Sequence, residues 1–270
     1  MKNTKYKITI LSDLKDTEAL ELKNIVSFAK MINGEIDFFH VTKSTELVRK
    51  DSQLSAMRSI NDTFKTTDNK LRALTTSFSE NYNIDINYSF AFGNIKNEIK
   101  AYLEQSKPDI VVLGKKKNSP FKLIGDKVTE LILKQHNGPI LIADHENSLE
   151  PTTDLSVGLL NCGTSLNFDF ASKLIGASKK PLKSFQIGRK TESSQNVKNK
   201  ELKTVDFVFD QSDDTTITLE KYLTQYGINL LCVDRILKHE EKDKALYANF
   251  NDIIHSLNVT LLITGKTQLN

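Results

Sequence analysis

The chain has 270 residues, which at ~150 residues per domain points to two compact units, each long enough to bury a sizeable core. Apolar residues make up 39% and charged residues 26%, near the globular norm, so a disordered tail and a fibrous repeat are excluded. Thirty-seven Lys and Arg against thirty-four Asp and Glu leave +3, too even for a protein that gains affinity by neutralising phosphates, and no nucleic-acid partner is expected.

Short runs rich in β-branched residues alternate with longer stretches of helical period, the pattern of βαβ units around a parallel sheet. In the first half strands are expected over residues 7–12, 35–41, 84–92, 109–114 and 139–144, and helices over 17–32, 44–82, 94–105 and 125–136. Within the long helix Met57, Phe64, Leu71 and Phe78 recur at sevens, with Ile60 and Leu74 between them, which predicts one apolar stripe used for packing. A polar run over 144–154, containing Pro151, reads as a linker. The second half then replays the order, with strands over 155–162, 182–187, 204–210, 229–233 and 259–264 and helices between them. It has no counterpart of the long helix, and the polar stretch 190–200 stands in its place. The expected organisation is therefore two unequal copies, residues 1–146 and 154–270.

The fold class is α/β, built as two tandem doubly wound parallel five-stranded sheets of strand order 3-2-1-4-5. No apolar run approaches the ~20 residues of a membrane helix, and the first residues pass straight into a strand without a signal-peptide core. No membrane partner is expected, and the expected location is cytoplasmic. Cys162 and Cys232 both lie in apolar runs and read as reduced core thiols, while the five His residues show no zinc-ligand spacing.

In such a sheet the first and fourth strands are neighbours whose connections leave in opposite directions, opening a crevice at their carboxyl ends. Here its rims are Ser12, Asp13 and Leu14 after strand one, and Gly114 to Lys117 after strand four. Gly114 lets backbone approach a ligand, and Gly125 places free N–H groups at a helix N-terminus, where phosphate is favoured. Lys115, Lys116, Lys117, Lys122 and Lys127 add charge suited to polyphosphate, and Asp13 suits a ribose hydroxyl or an amino group. The same residues also serve as ordinary turns, solvated lysines and a helix cap, so both uses stay open. No nucleophile–histidine pair is recognisable and no catalytic residue is assigned. A weak ATP hydrolase, with Asp13 and Asp126 flanking Mg2+, is the one phosphoryl-transfer route the residues allow.

The stretch Ser12 to Glu18, the Phe92-Gly93-Asn94 turn, Lys107 to Gly114 and Asn137 to Ala143 together resemble the universal stress protein family in its tandem form. The resemblance implies an adenine nucleotide alpha hydrolase-like fold, association through fifth strands and, in one subgroup, ATP bound through G-x2-G-x9-G-[ST] after strand four. Carried onto this chain, the nucleotide-binding set is Ser12, Asp13, Leu14, Val41, Gly114, Lys115, Lys117, Gly125, Asp126 and Lys127, for ATP or AMP, with Mg2+ for a triphosphate. Lys117 stands where the pattern has its second glycine, the spacer to Gly125 is seven residues, and Asp126 replaces Ser or Thr. In the second half Asp234 falls at the glycine position, and Asn161 reads as an amide in place of the strand-one carboxylate. The expectation is a stress-response protein with an adenine nucleotide in its first half; the alternative is a ligand-free scaffold with two degenerate sites. Strands 140–144 and 260–264 are expected to pair within the chain across an approximate twofold axis, and a homodimer stays open.

Overall fold

Helices and strands alternate through both halves of the computed structural model, which describes residues 5–14, 18–43, 53–114, 127–144, 149, 155–162, 169–178, 180–187, 204–209, 215–235 and 257–265, without the side chains of 18–21, 53–55 and 127. The first half runs β1 (Tyr6–Ser12), α1 (Glu18–Ile32), β2 (Gly34–Lys43), α2 (Gln53–Tyr82), β3 (Ile86–Gly93), α3 (Ile95–Ser106), β4 (Ile110–Gly114), α4 (Lys127–Gln135) and β5 (Ile140–Ala143). The second runs β6 (Val157–Leu160), α5 (Ala171–Ala177), β7 (Leu182–Ile187), β8 (Thr204–Phe209), α6 (Thr215–Gln225), β9 (Leu230–Val233) and β10 (Thr260–Ile263). The helix expected between β9 and β10 falls mostly outside the described residues. Boundaries follow local chemistry. Asn33, Asn83 and Lys107, with φ of 64°, 49° and 45°, end α1, α2 and α3 in the left-handed region. The Asn94 side chain accepts from Lys96 N and Asn97 N to start α3. Asn161, at φ 50°, stops β6 two residues short of the expected end.

Each half keeps the order 3-2-1-4-5, but the two expected sheets are one. The order across the molecule is β3-β2-β1-β4-β5-β10-β9-β6-β7-β8, a ten-stranded sheet. All neighbours are parallel except β5 and β10, which pair antiparallel with Ile140, Leu141 and Ile142 opposite Ile263, Leu262 and Leu261. Both strands are buried along their whole length. Two separate sheets would leave a row of buried, unpaired N–H and C=O groups on each fifth strand, so the edges join.

The register defines an approximate twofold through Leu141 and Leu262, which pairs each first-half position with one in the second. Helices cover both faces, and each face carries one core that crosses the junction. One contains Ile8, Phe28, Phe38 and Leu71 with Leu159, Phe170, Leu174 and Leu262; the other contains Phe39, Val111 and Ile132 with Phe185, Leu219 and Leu231. The second-half strands are recomposed where the chain between β7 and β8 is too short for a counterpart of α2. On the α2 side, Ile86, Tyr88 and Phe90 of β3 have Thr204, Asp206 and Val208 of β8 as register counterparts. On the opposite face Ser89 and Ala91 give way to Phe207 and Phe209, which stack with Phe185 and meet Tyr222 of α6.

The α2 stripe packs over only part of its length. Leu71 is fully buried, and Leu74 and Phe78 pack against the same core, but Met57 is 63% and Phe64 51% exposed. At 1.5 Å per residue α2 is about 45 Å long, whereas the β3 residues span roughly 27 Å, so its first turns overhang the sheet. Phe64 still reaches the rings of Phe90 and Phe92.

Side chains lock the junction. Phe170 meets Tyr6 and Phe28 edge-on at 5.5 and 5.9 Å. Asn24 of α1 donates to the Asp144 carbonyl and accepts from Leu149 N, both at 2.8 Å, which pins the chain leaving β5. Buried Arg235 donates to the His136 carbonyl at 2.9 Å, and Gly265 lies so near the Asn137 carbonyl that a Cβ would sit 2.8 Å from it. Burial and the Arg235 charge hold the His136 pKa below the ordinary histidine value. Cys162 and Cys232 are buried, as expected of core thiols, and burial pushes the Cys162 thiol up to about 12 and raises Cys232 as well.

Three outcomes follow from this packing. Phe170→Ala should cost about 3–5 kcal/mol in urea unfolding, since it empties a buried aromatic site shared by both halves. Because folded His136 resists protonation, its contribution is complete above the free-histidine value of ~6.5 and is lost as pH falls below it; unfolding measured between pH 7.5 and 5.5 should therefore show a steeper loss for wild type than for His136→Gln. Both thiols should stay silent to an aromatic disulfide reagent in the native chain and react after denaturation.

Candidate functional site

The crevice forms where two connections diverge. β1 and β4 pair directly, with Leu11 opposite Leu113. From β1 the chain returns through α1 on one face; from β4 it returns through α4, whose Ile132 lies in the core of the other face. Ligands of open α/β sheets bind at such a point.

The rim at β1 is shaped by its own hydrogen bonds. Ser12 Oγ accepts from Leu14 N at 3.0 Å, and Leu14 takes φ 55°, a conformation a bulky residue holds only when its surroundings impose it. Asp13 is thereby displayed, exposed, at the tip of the turn. His40, buried in β2 in register with Ser12, places Nδ1 3.0 Å from the Ser12 carbonyl, so Nδ1 carries the proton and donates. Val41, half-buried at the end of β2, closes the side away from β4. Gly114, the last residue of β4, lies in register with Ala143 and adds no side chain to the floor.

Ser12, Asp13, Leu14, Val41 and Gly114 are thus brought together at the carboxyl ends of three adjacent strands. Lys115, Lys117, Gly125 and Asp126 lie outside the described residues. Lys127 is the first residue of α4, its side chain outside the description. His40 is packed and also supports the Ser12 turn. Its periodicity gives no hint of that role; the register with Ser12 does. Among the described residues no group of three or more His, Cys, Asp or Glu side chains could hold a metal ion. None of the described helices is long and apolar enough to cross a membrane.

At the corresponding place in the second half the described polar groups bond within that half. The register sets Asn161 at the place of Ser12 and Cys162 at the place of Asp13, which corrects the expectation that Asn161 replaces the carboxylate. The Asn161 side chain accepts from Ile187 N at 2.9 Å, across the space that Val41 bounds in the first half. Cys162 donates its thiol to the Cys232 carbonyl at 3.3 Å. Asp234, at the Gly114 position, accepts from Thr264 Oγ1 at 2.9 Å. A carboxylate at the glycine position repels phosphate, and these three groups spend their polar atoms within their own half.

No family model matches the chain. Among curated proteins it is 26% identical over 157 residues to a universal stress protein of Methanocaldococcus jannaschii, covering 53% of this chain and 96% of that protein. Among solved structures, a universal stress protein from Archaeoglobus fulgidus superposes with a TM-score of 0.70 at 12% identity, over 97% of this chain and 98% of that one. The cytoplasmic domain of a prokaryotic cation chloride cotransporter superposes with a TM-score of 0.52 at 12% identity, over 97% and 96%, so the architecture alone does not assign a ligand. The chain is thus similar in sequence, over about half its length, to a universal stress protein, and it shares the fold of one over nearly its whole length.

Proposed function

We propose that this chain is a cytoplasmic stress-response protein that binds an adenine nucleotide, ATP or AMP, in the crevice of its first half. One observation carries the reading: an exposed Asp13 on a braced turn stands beside a floor left bare by Gly114, whereas the equivalent second crevice is closed by its own hydrogen bonds. Asp13 would accept from ribose or the adenine amino group, and Ser12, Leu14 and Val41 would flank the base. Gly114 would let the chain follow the phosphates toward the N-terminal end of α4, with Lys115, Lys117, Gly125 and Lys127 supplying charge and N–H donors. Mg2+ would offset Asp126 if the ligand is a triphosphate.

The second reading, a scaffold that works through protein contacts without ligand, draws on the closed second crevice and on the departures at Lys117 and Asp126. Chain purified without added ligand, denatured and analysed by mass spectrometry should release an adenine nucleotide, and calorimetric titration should show ATP or AMP binding that Gly114→Val abolishes. Absence of binding at millimolar nucleotide would overturn the nucleotide reading in favour of the scaffold.

A further inference from the structure

The second half has given up its own crevice, yet it places two cations on the first half, each at the end of a helix. α1 and α4 are the helices that leave the two rims of the first crevice, one after the Ser12–Leu14 turn and the other after the chain beyond Gly114. Each runs from the carboxyl ends of its strands to the amino ends. Because β10 is antiparallel to β5, the amino ends of the first-half strands lie beside the carboxyl ends of the second-half strands. There Lys173 of α5 donates from Nζ to the carbonyl of Ile32, the last residue of α1, at 2.8 Å, with its ammonium 5.2 Å from the centre of the Tyr6 ring. Arg235 donates to the carbonyl of His136, the residue that follows α4, at 2.9 Å. The last carbonyls of a helix have no partner within it and carry the negative end of its dipole, so a cation is the complement at both places.

Arg235 directly follows Asp234, the register counterpart of Gly114. The segment that in the first half would lead toward phosphate turns inward in the second and grips the other half. Arg235 is 6% exposed, and its N–H donates to Thr264 Oγ1 at 3.0 Å, the same hydroxyl that donates to Asp234. These bonds fix the Arg235 backbone where its guanidinium reaches the first half.

We propose that the second half acts as a two-point clamp, in which Lys173 and Arg235 hold α1 and α4 by their C-terminal ends and so position the opposite ends of both helices around the first crevice. α4 spans about 13 Å, short enough for a tilt at one end to displace the other by a comparable amount. Lys173 and Arg235 are positioning residues; neither touches the crevice. The effect on affinity rests on the nucleotide reading above, whereas the anchoring does not.

The test uses the full chain with Arg235→Gln, Lys173→Gln, the double variant, and Arg235→Lys as conservative rescue. Amide hydrogen exchange followed by mass spectrometry should show faster exchange in α4 of Arg235→Gln and in α1 of Lys173→Gln, with β1, β4, β5 and β10 still protected, and Arg235→Lys should restore much of the α4 protection. ATP titration should show affinity weakened about fivefold or more in Arg235→Gln and further in the double variant, the scale of coupling between distant sites. Unchanged exchange in both helices would overturn the clamp, as would loss of protection spread evenly through the sheet. Unchanged affinity in the double variant, with wild type binding, would overturn the link to the crevice. A wild type that binds no nucleotide would overturn the functional reading instead, and exchange in α1 and α4 would then decide the clamp alone.

Discussion

The antiparallel pairing of β5 with β10 is the contact on which the rest of the architecture depends. Two short, wholly buried strands have their backbone groups satisfied only by each other on that side, so the halves cannot separate without exposing both edges. The pairing makes one sheet of ten strands, lets each face bury one core across the junction, and sets the strand directions of the halves opposite. That opposition puts the carboxyl end of each half beside the amino end of the other. Every inter-half contact described here, from Phe170 on Tyr6 to Arg235 on His136, exists because of it.

Within that frame the halves have diverged by exchanging apolar mass between faces. Where α2 covers the first half, β3 offers Ile86, Tyr88 and Phe90; where no such length of chain is available between β7 and β8, the same positions are Thr204, Asp206 and Val208. The aromatic rings have moved to the α6 face as Phe207 and Phe209. A half-buried strand can keep its register through such a change because alternate residues face opposite sides of the sheet. The crevices diverge in the same way: one keeps a bare glycine and a displayed carboxylate, while the other fills with Asn161, Cys162 and Asp234.

The two halves therefore differ at the carboxyl ends of their strands. The first retains the open switch point, and the second supplies edge coverage and fixed cations. A closed crevice is more rigid than an open one, since its hydrogen bonds are made internally, and rigidity is what a mount for Arg235 requires. In the proposed clamp, the residues around Asp234 both bond to one another and fix Arg235 against the first half.

Much of this was legible in the amino-acid order. β-branched runs spaced by helical stretches marked the strands to within a few residues, and Asp13 and Gly114 stood out because they fall at the ends of the first and fourth strands, where sheets of this order open a crevice. Pattern within one strand reports which residues face the core, but nothing about which strand lies opposite. Only the tertiary structure could set the register of β5 on β10, set Cys162 rather than Asn161 at the place of Asp13, lay His40 beneath Ser12, leave Met57 and Phe64 largely exposed on α2, and carry Lys173 and Arg235 to the ends of α1 and α4. Those placements join residues far apart in the chain through register and helix length, which local periodicity does not encode.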